Sequence, residues 1–407
     1  MKALQFDITI PRYIFAKALK TVFGNSVFYK GPAKTVRLVE ISEPVLPSPD
    51  WVKIKTVSCG LCGSDLSLIR LHNSPTASPF TSFPCILGHE IVGRITEIGQ
   101  RVQGFAPGDL VAIDPALGCV TRDIAPLCPA CASGRPGNCA NSARGSLPPG
   151  MFLGVNSGVN GGFAPYLVAH KSQLYKVPEG VSETAAVLTE PLAVAVQTLL
   201  DNLPQAGDKI LVIGAGVIGN LLIQATRALQ PDCHISVIEP GAFAAEFALR
   251  KGADNLIPHA DVFAQTAAIT GATIYKPLLG MEIAAGGFDK IYDTVGSAAT
   301  LNLSLRLLTA RGALSVVGIG GDVKLDLTPL WLKLQTIKGV YGYGFTTYRG
   351  KRRHVFEIAL DLMAQNKVDA ASLITHTFEL DDYQQMLDVN LHKARHRAMK
   401  TIVSFTD

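Results

Sequence analysis

One stretch constrains the fold more than any other. Residues 209–229 read KILVIGAGVIGNLLIQATRAL, a short apolar run, a glycine turn and then an apolar segment of helical period. Gly214, Gly216 and Gly219 form GxGxxG between the predicted strand and the predicted helix, which Val217 and Ile218 open. In such a turn the first glycine permits a tight bend, the second lets backbone approach a pyrophosphate, and the third lets helix and strand pack closely. The helix N-terminus offers unpaired N–H groups to the phosphates. GxGxxG alone is a weak signal, but Glu239 ends the next predicted strand, where an acidic group takes the ribose 2′-hydroxyl. That carboxylate favours NAD over NADP, because it repels a 2′-phosphate and Pro240–Phe243 supply no Arg or Lys to offset it.

Strand and helix signals alternate from Lys209 to about residue 320, the signature of a doubly wound parallel sheet. The half before it differs. VRLVEIS, PVLPSPDW, VKIKTVS and IVGRITEIG read as strands punctuated by Gly and Pro up to about Pro178, so a small β-rich, barrel-like domain is expected there. Residues 183–200 read as a connecting helix. The expected class is α/β, with a catalytic domain at 1–185 and 341–407 and a dinucleotide domain at 186–340.

A length of 407 residues suits two domains. A formal net charge of +4 without a basic block gives no support to nucleic-acid binding. Lys351–Arg353 is read as solvated surface. The opening MKALQF has no signal-peptide pattern and no run is long enough to span a membrane, so the cytosol is the default expectation. Eight cysteines in such a chain point to metal ligands or free thiols more than to disulfides.

Cys128 and Cys131 form CxxC, Cys139 follows, and Cys119 lies upstream. Four thiolates on one Pro- and Gly-rich loop can close a tetrahedral zinc site without an open position. Two disulfides are the alternative. Cys62, Ser64 and Asp65 lie in SCGLCGSD, and His89 with Glu90 in ILGHE. One thiolate and one imidazole make an incomplete shell; taken singly, Cys62 reads as a buried thiol and His89 as a core histidine.

The order CGLCGSD, GHE, four-cysteine lobe and GxGxxG resembles the zinc-containing medium-chain alcohol and polyol dehydrogenases, from about Val36 to the C-terminus. That resemblance implies a GroES-like catalytic domain, a structural zinc lobe at about 115–142, and a Rossmann domain. It makes Cys62 and His89 ligands of a catalytic zinc, and Glu190 of TEPLAVAV the third ligand or a nearby carboxylate. The EPL form is similar to sorbitol-, glucose- and threonine-dehydrogenase-like members, in which Glu90 can also ligate. It implies that Asp65 orients a ligand and that Ser64 first receives the alcohol proton; the Ser64 hydroxyl can also cap a helix beginning near Asp65, and both roles can hold together. The implied activity is hydride transfer between an alcohol or polyol and NAD, in a homodimer or homotetramer. Zinc-independent quinone or enoyl reductases share the fold but lack these motifs, and a non-catalytic dinucleotide-binding protein would not need them.

Two departures stand out. Several members of that family have His three residues after the relay Ser, where this chain has Ser67, leaving His72 as a substitute. Eight residues separate Cys119 from Cys128 where the family usually has two. The chain also carries an insertion, residues 8–29, absent from most members. Within it Ile14, Phe15, Ala18, Leu19 and Val22 form a helical stripe, started by Pro11 and stopped by Gly24 and Asn25. The stripe is expected to bury itself on the catalytic domain near the substrate cleft; a subunit contact or a membrane-surface patch is the alternative.

Overall fold

The computed structural model describes residues 1–318 and 320–405. It divides into two compact units. One comprises Met1–Ala193, Gly342–Ala364 and the C-terminal stretch from Asp369; the other comprises Val194–Tyr341 with Gln365–Val368.

In the second unit six strands lie in the order Asn255–Leu256, His234–Ile238, Lys209–Ile213, Phe288–Asp293, Leu308–Val316 and Thr336–Gly339. Every neighbouring pair is parallel. The central strand Lys209–Ile213 is an aliphatic run buried from Ile210 onward, as a strand covered on both faces must be. From it the chain builds outward in one direction, then returns to place Phe288–Asp293 on its other side. The glycine turn therefore sits at the switch point of the sheet, outside the carboxyl end of a central strand, where such sheets bind ligands. A short antiparallel pair, Thr273–Tyr275 with Ile283–Ala285, interrupts the expected alternation.

The first unit is built on a sheet in which Trp51–Gly60 is the hub. It pairs with Glu90–Ile98 along one edge, and with Tyr166–His170 and then Lys400–Ser404 along the other. Trp51, Val52, Ile54 and Cys59 of the hub enter a core shared with Ile91, Ile95, Val111 and Phe163. The segment PVLPSPD, expected as strand, is irregular up to Trp51. Its three prolines cannot donate to a ladder. The expected helix 183–200 is two helices, Glu183–Ala186 and Thr189–Asp201. Pro191 explains the break, since it lacks the N–H for a bond to Val187 and its ring crowds that carbonyl.

The insertion forms the helix Ile10–Phe23, capped by Thr9 and stopped at Gly24 with φ 66°. Its burial is the reverse of the expectation. Ala16 is the helix's one buried residue, Leu19 is partly covered, and Ile14, Phe15, Ala18 and Val22 are exposed. The anchoring is done by Val27, Phe28 and Tyr29 just beyond the helix, all buried in the core. No helix among the described residues is long and apolar enough to cross a membrane.

Candidate active site

The strand Trp51–Gly60 delivers Cys62 just past its end, and the strand that begins at Glu90 delivers His89 just before its start. Gly60 and Glu90 are paired across the ladder, so the two loops meet. One ligand atom each of Cys62, His89 and Glu90 lies within 4.8 Å of the others. A thiolate, an imidazole and a carboxylate are a donor set that suits zinc.

Asp65 joins two of these groups. The helix Gly63–Ile69 opens with a reciprocal cap in which Cys62 is the N-cap and Asp65 the third residue. Oδ2 of Asp65 accepts the Cys62 N–H at 2.9 Å, while its Oδ1 lies 3.3 Å from Nδ1 of His89. A buried carboxylate at Nδ1 directs the other ring nitrogen outward as a metal ligand. Burial opposes protonation of His89, but Asp65 and Cys62 outweigh it and hold its pKa well above the ordinary value. Ser64 Oγ is 3.4 Å from His89 Nε2, beside the same opening. The helix starts at Gly63 with Cys62 as its N-cap, so Ser64 does not cap it.

Glu90 has a partner that the sequence did not announce. The ammonium of Lys400, itself buried, contacts Oε2 of Glu90 and donates to Leu61 O at 3.1 Å. Gly60 makes room for this pair: a Cβ there would lie 2.0 Å from Glu90 Oε2 and 2.8 Å from Lys400 Cε. Lys400 begins the apolar strand KTIVS, and its charge in that setting was the available signal. Glu190 stands outside the close trio but feels it. Burial, then Glu90, raise its pKa to about 7, against the pull of His89, Tyr343 and Lys400. His72 faces elsewhere: its Nε2 is 2.8 Å from Lys20 Nζ on the inserted helix.

The four remaining predicted thiols, Cys119, Cys128, Cys131 and Cys139, also converge within 4.8 Å. None is in a disulfide. Cys119 and Cys139 Sγ are 3.5 Å apart, a spacing for thiolates around an ion. Backbone N–H groups of Cys128 and Asn141 point at Cys119 and Cys139 Sγ at 3.4 and 3.3 Å. The long gap after Cys119 is taken up by a 3-10 turn at Val120–Arg122, a left-handed Asp123 and the return bond from Ile124 N to Cys119 O. Arg122 is fully buried and donates to the carbonyls of Leu117, Arg144, Leu147, Pro148 and Gly150, binding the lobe to the chain that follows.

In the other unit the glycine motif has the form a pyrophosphate needs. Gly214 has φ 87°, a Cβ on Gly219 would lie 2.0 Å from Gly214 O, and a Cβ on Gly216 would point into open space. Val217 and Ile218 begin the helix behind it. Glu239 accepts from Ala215 N and Gly241 N, both at 2.7 Å, which fixes its carboxylate beside the turn. Thr294, not singled out in the sequence, bonds Ile213 O and Gly214 O at 3.0 Å and braces the same turn.

Residues 48–179 match the family described as alcohol dehydrogenase GroES-like domain, and residues 217–365 the family described as zinc-binding dehydrogenase. An L-threonine 3-dehydrogenase of Pyrococcus abyssi is 29% identical over 366 residues, 88% of this chain and 92% of the relative. A 2R,3R-butanediol dehydrogenase from Bacillus subtilis superposes with a TM-score of 0.71 at 26% identity, covering 91% of this chain and 96% of that one. A galactitol-1-phosphate dehydrogenase from Escherichia coli shares the fold, with a TM-score of 0.74 at 24% identity over 99% of this chain and all of that one.

Proposed function

The chain belongs to the zinc-containing medium-chain alcohol and polyol dehydrogenases, and we propose that within them it oxidises secondary alcohols or polyols with NAD. The observation that carries this reading is the meeting of Cys62, His89 and Glu90 donor atoms within 4.8 Å. Cys62 and His89 would hold a catalytic zinc, and Glu90 or Glu190 would supply the third protein ligand. When bound, zinc would supply Lewis acidity towards an alcohol and NAD would supply the hydride acceptor.

The chain's own residues do the rest. Asp65 keeps Cys62 and His89 in a fixed relation. Ser64 takes the hydroxyl proton and passes it towards water. Lys400 offsets the charge of Glu90 and holds its carboxylate beside the Cys62–His89 pair. Cys119, Cys128, Cys131 and Cys139 hold a structural zinc that closes their lobe and does no chemistry. Gly214, Gly216 and Gly219 receive the pyrophosphate, and Glu239 the adenosine ribose.

The preference for secondary hydroxyls is supported by the EPL form of the Glu190 segment. It is also supported by relatives named for hydroxyls at carbon 3 of threonine and carbons 2 and 3 of butanediol. A homodimer or homotetramer is the proposed assembly. The edge strand Thr336–Gly339 is exposed at every residue, and Trp331, Leu332 and Leu334 are exposed close by in sequence, an edge that monomers rarely leave bare. A panel of primary alcohols, secondary alcohols and polyols, each with NAD and with NADP, tests the reading by nicotinamide absorbance. Reduction of NADP ahead of NAD, or turnover confined to primary alcohols, overturns it.

A further inference from the structure

The inserted helix Ile10–Phe23 turns its small face to the protein and its large apolar face outward. Inward, Ala16 is buried, and Arg12 bonds Asp7 at 3.0 Å and Lys34 O at 2.6 Å. On the flank, Lys20 meets His72. These contacts fix the rotation of the helix about its axis. Ile10, Ile14, Ala18 and Val22 then fall four residues apart on a single outward row. The row is open: Ile10 is 78%, Ile14 62% and Val22 73% exposed, and Phe15 and Phe23 are exposed beside it. Lys17 runs along its rim, with Nζ 5.6 Å from the centre of the Tyr13 ring.

The charge around this row is mainly basic, with Arg12 and Arg37 paired to Asp7 and Lys17, Lys20, Lys30 and Lys34 outside that pairing. From Ile8 to Val39 the chain carries Arg12, Lys17, Lys20, Lys30, Lys34 and Arg37 and no acidic residue. We infer that the outward face of this helix docks on an anionic lipid surface. An apolar row bordered by basic side chains lies in the plane of a bilayer interface, with the row in the acyl boundary and the cations among the headgroups. At about 1.5 Å per residue the 14-residue helix is about 21 Å long, short of the hydrocarbon thickness, so it lies on the membrane and does not span it. A second copy of the chain is the poorer partner. Across a two-fold contact the same basic stretch would face itself.

Flotation of the purified full-length protein tests this. The vesicles are phosphatidylcholine alone, or phosphatidylcholine with about a third phosphatidylglycerol. Wild type is expected to float with the anionic vesicles, about tenfold more tightly than with the neutral ones, and to be released at high salt as the basic residues are screened. The double variant Ile14→Asp/Val22→Asp is expected to stay at the bottom of the gradient. Its melting temperature and its oxidation of a water-soluble alcohol should match wild type, because both side chains are exposed. Failure of wild type to float, or equal flotation of the variant, overturns the inference. So does a drop in oligomeric order of the variant on sedimentation without vesicle binding by wild type, which would make the face a contact between copies.

Discussion

The hydroxyl of Tyr343 donates a 3.0 Å hydrogen bond to Oε1 of Glu190, 153 positions earlier in the chain. Tyr343 is buried, its ring edge-on to Phe356 at 4.9 Å, so the hydroxyl has little freedom to leave. The bond favours the ionised carboxylate, against the burial and the Glu90 charge that raise Glu190 to about 7. Tyr343→Phe should move the acid limb of the kcat/KM profile to higher pH and weaken zinc retention against a chelator, by about tenfold on the usual scale of such partners. An unchanged profile and unchanged retention would leave Glu190 without a part in the metal site.

Gly60→Ala places a methyl where Glu90 Oε2 now lies. Glu90 is backed by the Lys400 ammonium and by the paired strands, so it cannot swing away freely. The expected result is a stability loss of about 1–3 kcal/mol, the common cost of overpacking, with catalysis lost and dinucleotide affinity kept. Calorimetric melting, turnover and NADH fluorescence titration check the three parts.

The first unit should hold two zinc ions, one for each donor group. Elemental analysis of fresh protein gives the number. Cys128→Ser should remove one ion and lower the melting temperature, because the lobe from Cys119 to Cys139 has little apolar core of its own. Loss of one ion without a fall in stability would mean that the lobe is held by Arg122 and its five carbonyls alone.

His72 is pushed down from 6.5 to about 4, first by burial and then by Arg70, Lys20 and Lys17. The unfolded histidine therefore binds its proton between pH 6.5 and 4 while the folded one does not. Stability from this contact is present above 6.5 and is lost as pH falls towards 4. Protection factors over residues 10–23, which remove the intrinsic pH dependence of exchange, should fall as pH drops across that window in wild type and stay flat in His72→Gln, which keeps an acceptor for Lys20. Alcohol oxidation at neutral pH should not change, since His72 contacts the inserted helix and not the Cys62–His89 pair. A fall in turnover would restore His72 as the relay group.

Much of the site was legible because its parts are local patterns. Cys62, Asp65 and Ser64 share one turn, His89 and Glu90 are adjacent, and three of the four lobe cysteines lie within twelve residues. Lys400, Tyr343 and Arg122 were not legible. Each matters through a partner on another strand or loop, and a lone Lys, Tyr or Arg carries no spacing that names that partner. The PVLPSPD segment and the break at Pro191 were misread as regular structure although proline stands in both, a local rule overlooked and not a tertiary effect.

Residue order alone determined the architecture of each unit and the chemistry of its site. Apolar period sets strand or helix, glycine sets the turn at Gly214, and the order of the cysteine and GHE motifs carries the resemblance that implies the metal. Tertiary structure decided what the sequence left open: the Lys400–Glu90 pair, the support of Glu190 by Tyr343, and the face that the helix Ile10–Phe23 buries. The stripe at Ile14, Phe15, Ala18, Leu19 and Val22 was correctly read as apolar, yet most of it points to solvent. Hydrophobic period says that one face of a helix differs from the other. Which face is covered depends on the neighbouring core, and here Ala16 is buried against it with Leu19 packed alongside.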